Sequence, residues 1–169
     1  MNFKEILSKF RSMSFTEKEK GTQFERLIRS WLLTDPRYTN LEKVWLWEEF
    51  PCRKDFGGKD TGIDLVAKTD LGDYWAIQCK CYKEDAVINK PEVDSFLATS
   101  SRTFTDEITF QTTSFSNRIW VSRPIIGDQM RKKLFVTKIH RLTGSVWWTS
   151  KLLLFTGRSF YKESRAKMQ

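Results

Sequence analysis

Histidine is all but missing: His140 is the single one in 169 residues. Cysteine is scarce as well, with only Cys52, Cys79 and Cys81. These shortages exclude a disulfide scaffold and a four-ligand Cys/His zinc site within one chain. A Ser-His-Asp hydrolase would have to draw its base from His140, which lies in the basic C-terminal stretch described below. No apolar run approaches the ~18 residues that span a bilayer. The opening Met1-Asn2-Phe3-Lys4-Glu5 lacks a basic-then-apolar leader, so a cytoplasmic location and no membrane partner are expected. Hydrophobic residues make up 40% and charged residues 30%, which excludes a disordered chain and favours one globular domain.

Acidic residues are also missing from one region. Residues 1–118 hold 18 Lys and Arg against 19 Asp and Glu, while residues 119–169 hold 11 against 2. The whole net charge of +8 therefore resides in the last third, which can be read as a basic tail or as a nucleic-acid-binding arm.

The periodicities alternate between helix and strand. Asn2 to Glu5 resembles a capping box, and Phe3, Ile6, Leu7 and Phe10 follow at helical spacing. Ser14 and Glu17 form a second capping pattern. Behind it Phe24, Leu27, Ile28, Trp31 and Leu32 make one apolar stripe, closed by Asp35-Pro36. Val44 to Trp47 suits a strand. Gly62–Lys68 and Tyr74–Tyr82 flank the turn Thr69 to Asp73 and predict a hairpin. Lys90-Pro91-Glu92 opens another helix with Val93, Phe96 and Leu97 inside. Arg118 to Val121 suits a further strand. The order predicts an α/β sandwich with no internal repeat.

The hairpin carries the chemistry. With its turn centred on Leu71, Asp64 falls opposite Gln78, and such partners have Cβ atoms ~4.5–5.5 Å apart. Lys80, two residues on, shares their face, while Trp75, Ile77, Cys79 and Cys81 point the other way. A carboxylate, an amide oxygen and an ammonium in one place can hold a hard divalent cation and orient a water. The Cys79 carbonyl can complete the protein's ligands. Glu25 lies ~100° around its helix from Phe24, at the edge of the apolar stripe, where a carboxylate can reach over the sheet rim. The plainer reading of Asp64 and Lys80 is a surface ion pair. Trp45, Trp47 and Trp75 suit either base stacking or core packing. Cys79 and Cys81 suit buried reduced thiols.

Three ordered segments carry a resemblance. Gly21-Thr22-Gln23-Phe24-Glu25, Asp60-Thr61-Gly62-Ile63-Asp64 and Gln78-Cys79-Lys80 resemble the motif set of the PD-(D/E)XK nuclease superfamily, in its Mrr-like branch. The stretch from Gly21 through Phe96 is similar in particular to the N-terminal nuclease domain of type ISP restriction enzymes, and the resemblance covers residues 1 to about 121. The resemblance implies a restriction-endonuclease-like sandwich, a central mixed sheet flanked by helices with an αβββαβ core. It implies a Mg²⁺-dependent DNA endonuclease of a restriction or defence system, with Mn²⁺ as a substitute ion. Asp64 and Gln78 would be metal ligands beside the Cys79 carbonyl, Lys80 would orient and activate the water, and Glu25 would act through a metal-bound water. Gln78 is neutral where many relatives carry an acid. Lys59, Lys83 and Lys90 flank the site and would meet phosphates of double-stranded DNA. A homodimer or a helicase/methyltransferase partner is the implied assembly.

The remainder, residues 122–169, departs from that pattern. It shows no Walker motif and no methyltransferase signature, and it carries Arg131-Lys132-Lys133 and Trp147-Trp148 instead. Two readings stay open. One is a basic DNA-binding arm. The other is a frame-shifted remnant, since with suitable codons a one-nucleotide shift restores a segment similar to the family's continuation. The rivals to a nuclease are accordingly a nucleic-acid-binding module of weak catalysis and a non-functional gene remnant with an exposed sheet edge after Val121.

Overall fold

A computed structural model describes residues 16–57, 61–81, 90–123, 133–142, 145–154 and 165–167, with backbone alone from residue 123 onward. The helix expected at Phe3–Phe10 lies outside the described residues.

Helix α1 runs Glu17–Thr34. Its cap is Thr16 rather than Ser14. The Thr16 hydroxyl accepts the Glu19 N–H at 3.3 Å, and the Glu19 carboxylate accepts the Thr16 N–H at 2.8 Å. Both Ser14-Glu17 and Thr16-Glu19 fit the capping pattern; the later pair wins because each of its members satisfies the other's backbone. Asp35 turns extended before Pro36 and stops the helix. The expected stripe Phe24, Leu27, Ile28, Trp31 and Leu32 is buried.

Strand β1 spans Leu41–Leu46, and Trp47, expected at its end, begins a 3-10 turn through Glu49 instead. Strands β2 (Leu65–Thr69) and β3 (Tyr74–Cys81) form the hairpin. Its register is the expected one, from Leu65 opposite Ile77 to Lys68 opposite Tyr74. Gly72, at φ +87°, takes the left-handed step of the turn. Helix α2 (Lys90–Ser100) buries Val93, Phe96 and Leu97. It crosses back so that β5 (Thr112–Arg123) lies parallel to β3, as a parallel pair requires. A short strand β4 (Thr103–Thr105) pairs antiparallel with β5 and was not legible beforehand, being three residues long. The buried Asp106 holds the loop behind it, accepting the Ile108 and Thr109 N–H groups at 2.8 and 2.9 Å and the Tyr74 hydroxyl.

The resulting order is αβββαβ with β4 inserted, an α/β fold with a mixed sheet between helices. Alternation along the strands divides the core in two. Leu65, Ala67, Ile77, Cys79, Ile119 and Val121 meet α1, whereas Val66, Ala76 and Trp120 meet α2. The strands are thus buried on both faces, which explains their near-continuous apolar runs. Trp47 is in the α2-side core, Trp45 packs against it, and Trp75 packs on the α1 side. Among the described residues no helix is long and apolar enough to cross a membrane.

Strand β5 is not the edge of the sheet. Strand β6 (Lys133–Leu142) pairs antiparallel with Ile119 to Ser122, and β7 (Ser145–Leu154) and β8 (Arg165–Lys167) follow in order. A chain truncated after residue 123 should expose the N–H and C=O row of β5. It is expected to melt lower and to scatter more light on heating than one truncated after residue 142. Equal melts would show that β6 contributes nothing to stability.

Candidate active site

Strand β3 outlasts β2, and Asp64 stands where the two part. Its backbone is tied on both sides: the Asp64 N–H donates to the Ile77 carbonyl at 2.9 Å, and the Asp64 carbonyl accepts the Trp47 N–H at 2.8 Å. Within the ladder Ile77 faces Leu65, so this bond to Asp64 is one step out of register. The side chain folds over β3, where Oδ2 accepts the Cys79 N–H and the Gln78 Nε2–H, both at 2.6 Å. Gln78 is 4% exposed, and a buried amide needs such a partner. A carboxylate oxygen only accepts, so Nε2 must face it and Oε1 faces away, towards Gly62.

Gly62 is called for at its position by its backbone angle. Its φ of +67° belongs to the left-handed region. A Cβ there would also stand 3.5 Å from the Phe96 Cα and 3.4 Å from Gln78 Oε1. Both distances are ordinary contact, so α2 lies against the segment that leads into Asp64 while the backbone angle alone favours glycine there.

Lys80 shares the strand face of Gln78, and its ammonium donates to Oε1 of Glu92 on the first turn of α2 at 3.3 Å. Glu25 comes from α1 on the opposite side of the sheet and is half-buried. Burial above all, and then the charges of Asp64 and Glu48, push its carboxyl up to about 7. The Cys79 thiol is raised well above its ordinary value by burial, then by Asp64 and Glu25. It stays protonated and unsuited to ligation.

The structure thus joins Asp64, Gln78 and the Cys79 backbone by hydrogen bonds, sets Glu25 within their electric field, and holds Lys80 through Glu92. Lys90 is exposed at the start of α2, while Lys59 and Lys83 lie outside the described residues. Nothing in the sequence pattern gives Glu48 or Glu92 a place at the site. An acid behind Pro91 reads as a helix-start residue, and Glu48 is one of two adjacent acids after a tryptophan; neither signal is specific.

Among the described residues no group of three or more His, Cys, Asp or Glu is placed to hold a metal ion. The donors present are nevertheless hard oxygens, from Asp64, Glu25 and backbone carbonyl, the type that Mg²⁺ takes together with several waters. The mutual repulsion of Glu25 and Asp64 is what a divalent cation between them would offset. The residues fit such an ion. Gln78 would present its oxygen only after its amide rotates away from the Asp64 contact.

The Glu25 shift has a measurable sign. The folded protein keeps a proton on Glu25 that the unfolded chain releases near 4.5. Metal-free folded protein should therefore lose stability as pH rises between those two values. In Glu25→Gln this component vanishes. Its melting temperature relative to wild type should climb from about pH 5 to about pH 8. A constant difference across that range would mean that Glu25 is not held in this environment.

Neither a curated protein nor a solved structure matches the chain. Residues 33–142, more than half of it, match the restriction-endonuclease family Mrr_cat_2. The match takes in Asp64, Gln78, Lys80 and Glu92, continues through β6, and leaves Glu25 outside. Domains of this kind act on DNA and generally use divalent metals. With its fold, and with a carboxylate, an amide and a lysine drawn to one end of the hairpin, the chain belongs to the restriction-endonuclease family Mrr_cat_2.

Proposed function

We propose that this chain is a Mg²⁺-dependent endonuclease unit that hydrolyses phosphodiester bonds of double-stranded DNA in the cytoplasm. It would serve a restriction or defence system and resemble the N-terminal nuclease domain of type ISP enzymes. The observation that carries the reading is the Asp64 carboxylate, fixed by Gln78 Nε2 and the Cys79 N–H at 2.6 Å on the face that also bears Lys80. A structural ion pair would not need a buried amide to hold its acid in place.

In this reading Asp64 is the main ligand of the ion and the Cys79 carbonyl a second. Glu25 contributes from α1 through a water. A divalent ion bound there supplies charge neutralisation at the phosphate and a lowered pKa for water. Gln78 locks the Asp64 rotamer, and its amide oxygen becomes a ligand if it turns. Lys80 donates to the attacking water and aims its lone pair at phosphorus. The water's P–O bond forms as the P–O bond opposite it breaks, the water's proton passing to solvent and the departing oxygen taking one from solvent. Lys59, Lys83 and Lys90 would steady the duplex through phosphates.

Residues 1–121 supply every proposed catalytic group, and residues 122–169 supply the basic excess. That excess supports the second reading, a DNA-binding module of weak catalysis, in which affinity would fall steeply with salt. A homodimer or a helicase/methyltransferase partner would complete a cutting assembly.

Asp64→Ala and Lys80→Ala should each slow plasmid nicking by ~10²-fold or more while leaving the far-UV spectrum unchanged. Equal cleavage by wild type and both variants would falsify the assignment. Mg²⁺ or Mn²⁺ should restore activity to protein stripped with chelator, whereas Ca²⁺ should bind without restoring it. Full cleavage in excess chelator would rule out the metal-dependent mechanism.

A further inference from the structure

Glu92 has no part in the motif set, yet its carboxylate meets the Lys80 ammonium at 3.3 Å. Both side chains are about a third exposed, at 31% and 38%, so the pair adds little to stability. What it does add is direction. A lysine has four rotatable carbons and a large rotamer entropy, and an untethered ammonium would spread through solvent.

The carboxylate that tethers it is itself well placed. Glu92 lies one helical turn before Phe96, so the two share a face of α2. Phe96 is fully buried, and its backbone lies against Gly62, where a Cβ would stand 3.5 Å from the Phe96 Cα. Val93 and Leu97 fasten the same helix to the sheet. A rigid path thus runs from Gly62, two residues before Asp64, through α2 to Glu92 and on to Lys80.

We infer that Glu92 is a positioning residue that holds the Lys80 ammonium where the attacking water must be oriented; the inference rests on the nuclease reading above. It acts through Lys80 and touches neither the ion nor the reacting atoms. The neutral Gln78 leaves this part of the face without an acid of its own on β3, and Glu92 supplies one from the helix. A glutamine at position 92 would retain an acceptor oxygen for Nζ, whereas alanine would not.

The test uses the full chain, with lysines labelled at 13Cε and the Lys80 signal assigned by its loss in Lys80→Ala. In Glu92→Ala the Lys80 signal should become more mobile, and single-turnover cleavage of saturating duplex in Mg²⁺ should slow about tenfold. Duplex affinity and Mn²⁺ affinity should stay within about twofold of wild type, as expected of a group acting only on orientation. Glu92→Gln should recover most of the rate, and Glu92→Ala should cost nothing further in a Lys80→Ala background. Unchanged Lys80 mobility, additive losses, faster cleavage, or loss of Mn²⁺ binding in Glu92→Ala would each overturn the inference. Wild-type protein that fails to cleave, or Lys80→Ala that cleaves normally, would sink the nuclease reading itself. A cleaving wild type with an inert Glu92→Ala would sink this inference alone.

Discussion

One carboxylate oxygen organises the end of this sheet. Asp64 Oδ2 accepts the Cys79 N–H and the Gln78 side-chain N–H at 2.6 Å each, where β2 parts from β3. Bonds to an ionised acceptor are shorter and roughly twice as strong as neutral ones. They let a side chain stand in for the missing strand, so β3 continues to Cys81 without leaving the Cys79 N–H unpaired. Burial first, and the same charge after it, raise Glu25 and the Cys79 thiol, so the protonation of this corner follows from packing and from where Asp64 lies.

The helices converge on that point from opposite faces. Helix α1 packs through Phe24, Ile28 and Leu32 and brings Glu25 from one side; α2 packs through Val93, Phe96 and Leu97 and brings Glu92 from the other. A sheet buried on both faces offers polar groups an outlet only at its ends and edges. The acids and the lysine gather where the strands separate because only there can charge stay close to water. The rest of the apolar sheet, with Leu65, Val66, Ala76 and Ile77 almost fully buried, keeps that end rigid.

Much of this was legible in the residues. The tight turn around Leu71 dictated the hairpin register, because a pairing error of one residue would have exchanged the two faces of β2. The apolar stripe of α1 was equally plain, since five residues at helical spacing have few other uses. Less was legible where two solutions were locally equal. Ser14 and Thr16 both offered a helix cap, and Trp47 suited a strand as well as the 3-10 turn it occupies. Strand β4 had too few residues to show an alternation, and the pairing of β6 along β5 lay beyond what a basic, aromatic-rich stretch suggested.

The sequence by itself determined the α/β class, the hairpin register and the common face of Gln78 and Lys80 on β3, because strand alternation and a short turn are local constraints. Only tertiary structure brought Glu48 towards Glu25 and Glu92 to Lys80. Glu48 and Glu92 lie on separate elements, and no spacing along the chain reports which strand end they face, whereas Glu25 is marked by its place at the edge of the α1 stripe. Tertiary structure also decided the state of Glu25. Its carboxyl is pushed up to about 7 by burial and by neighbours distant in sequence, and desolvation exists only once the chain is packed.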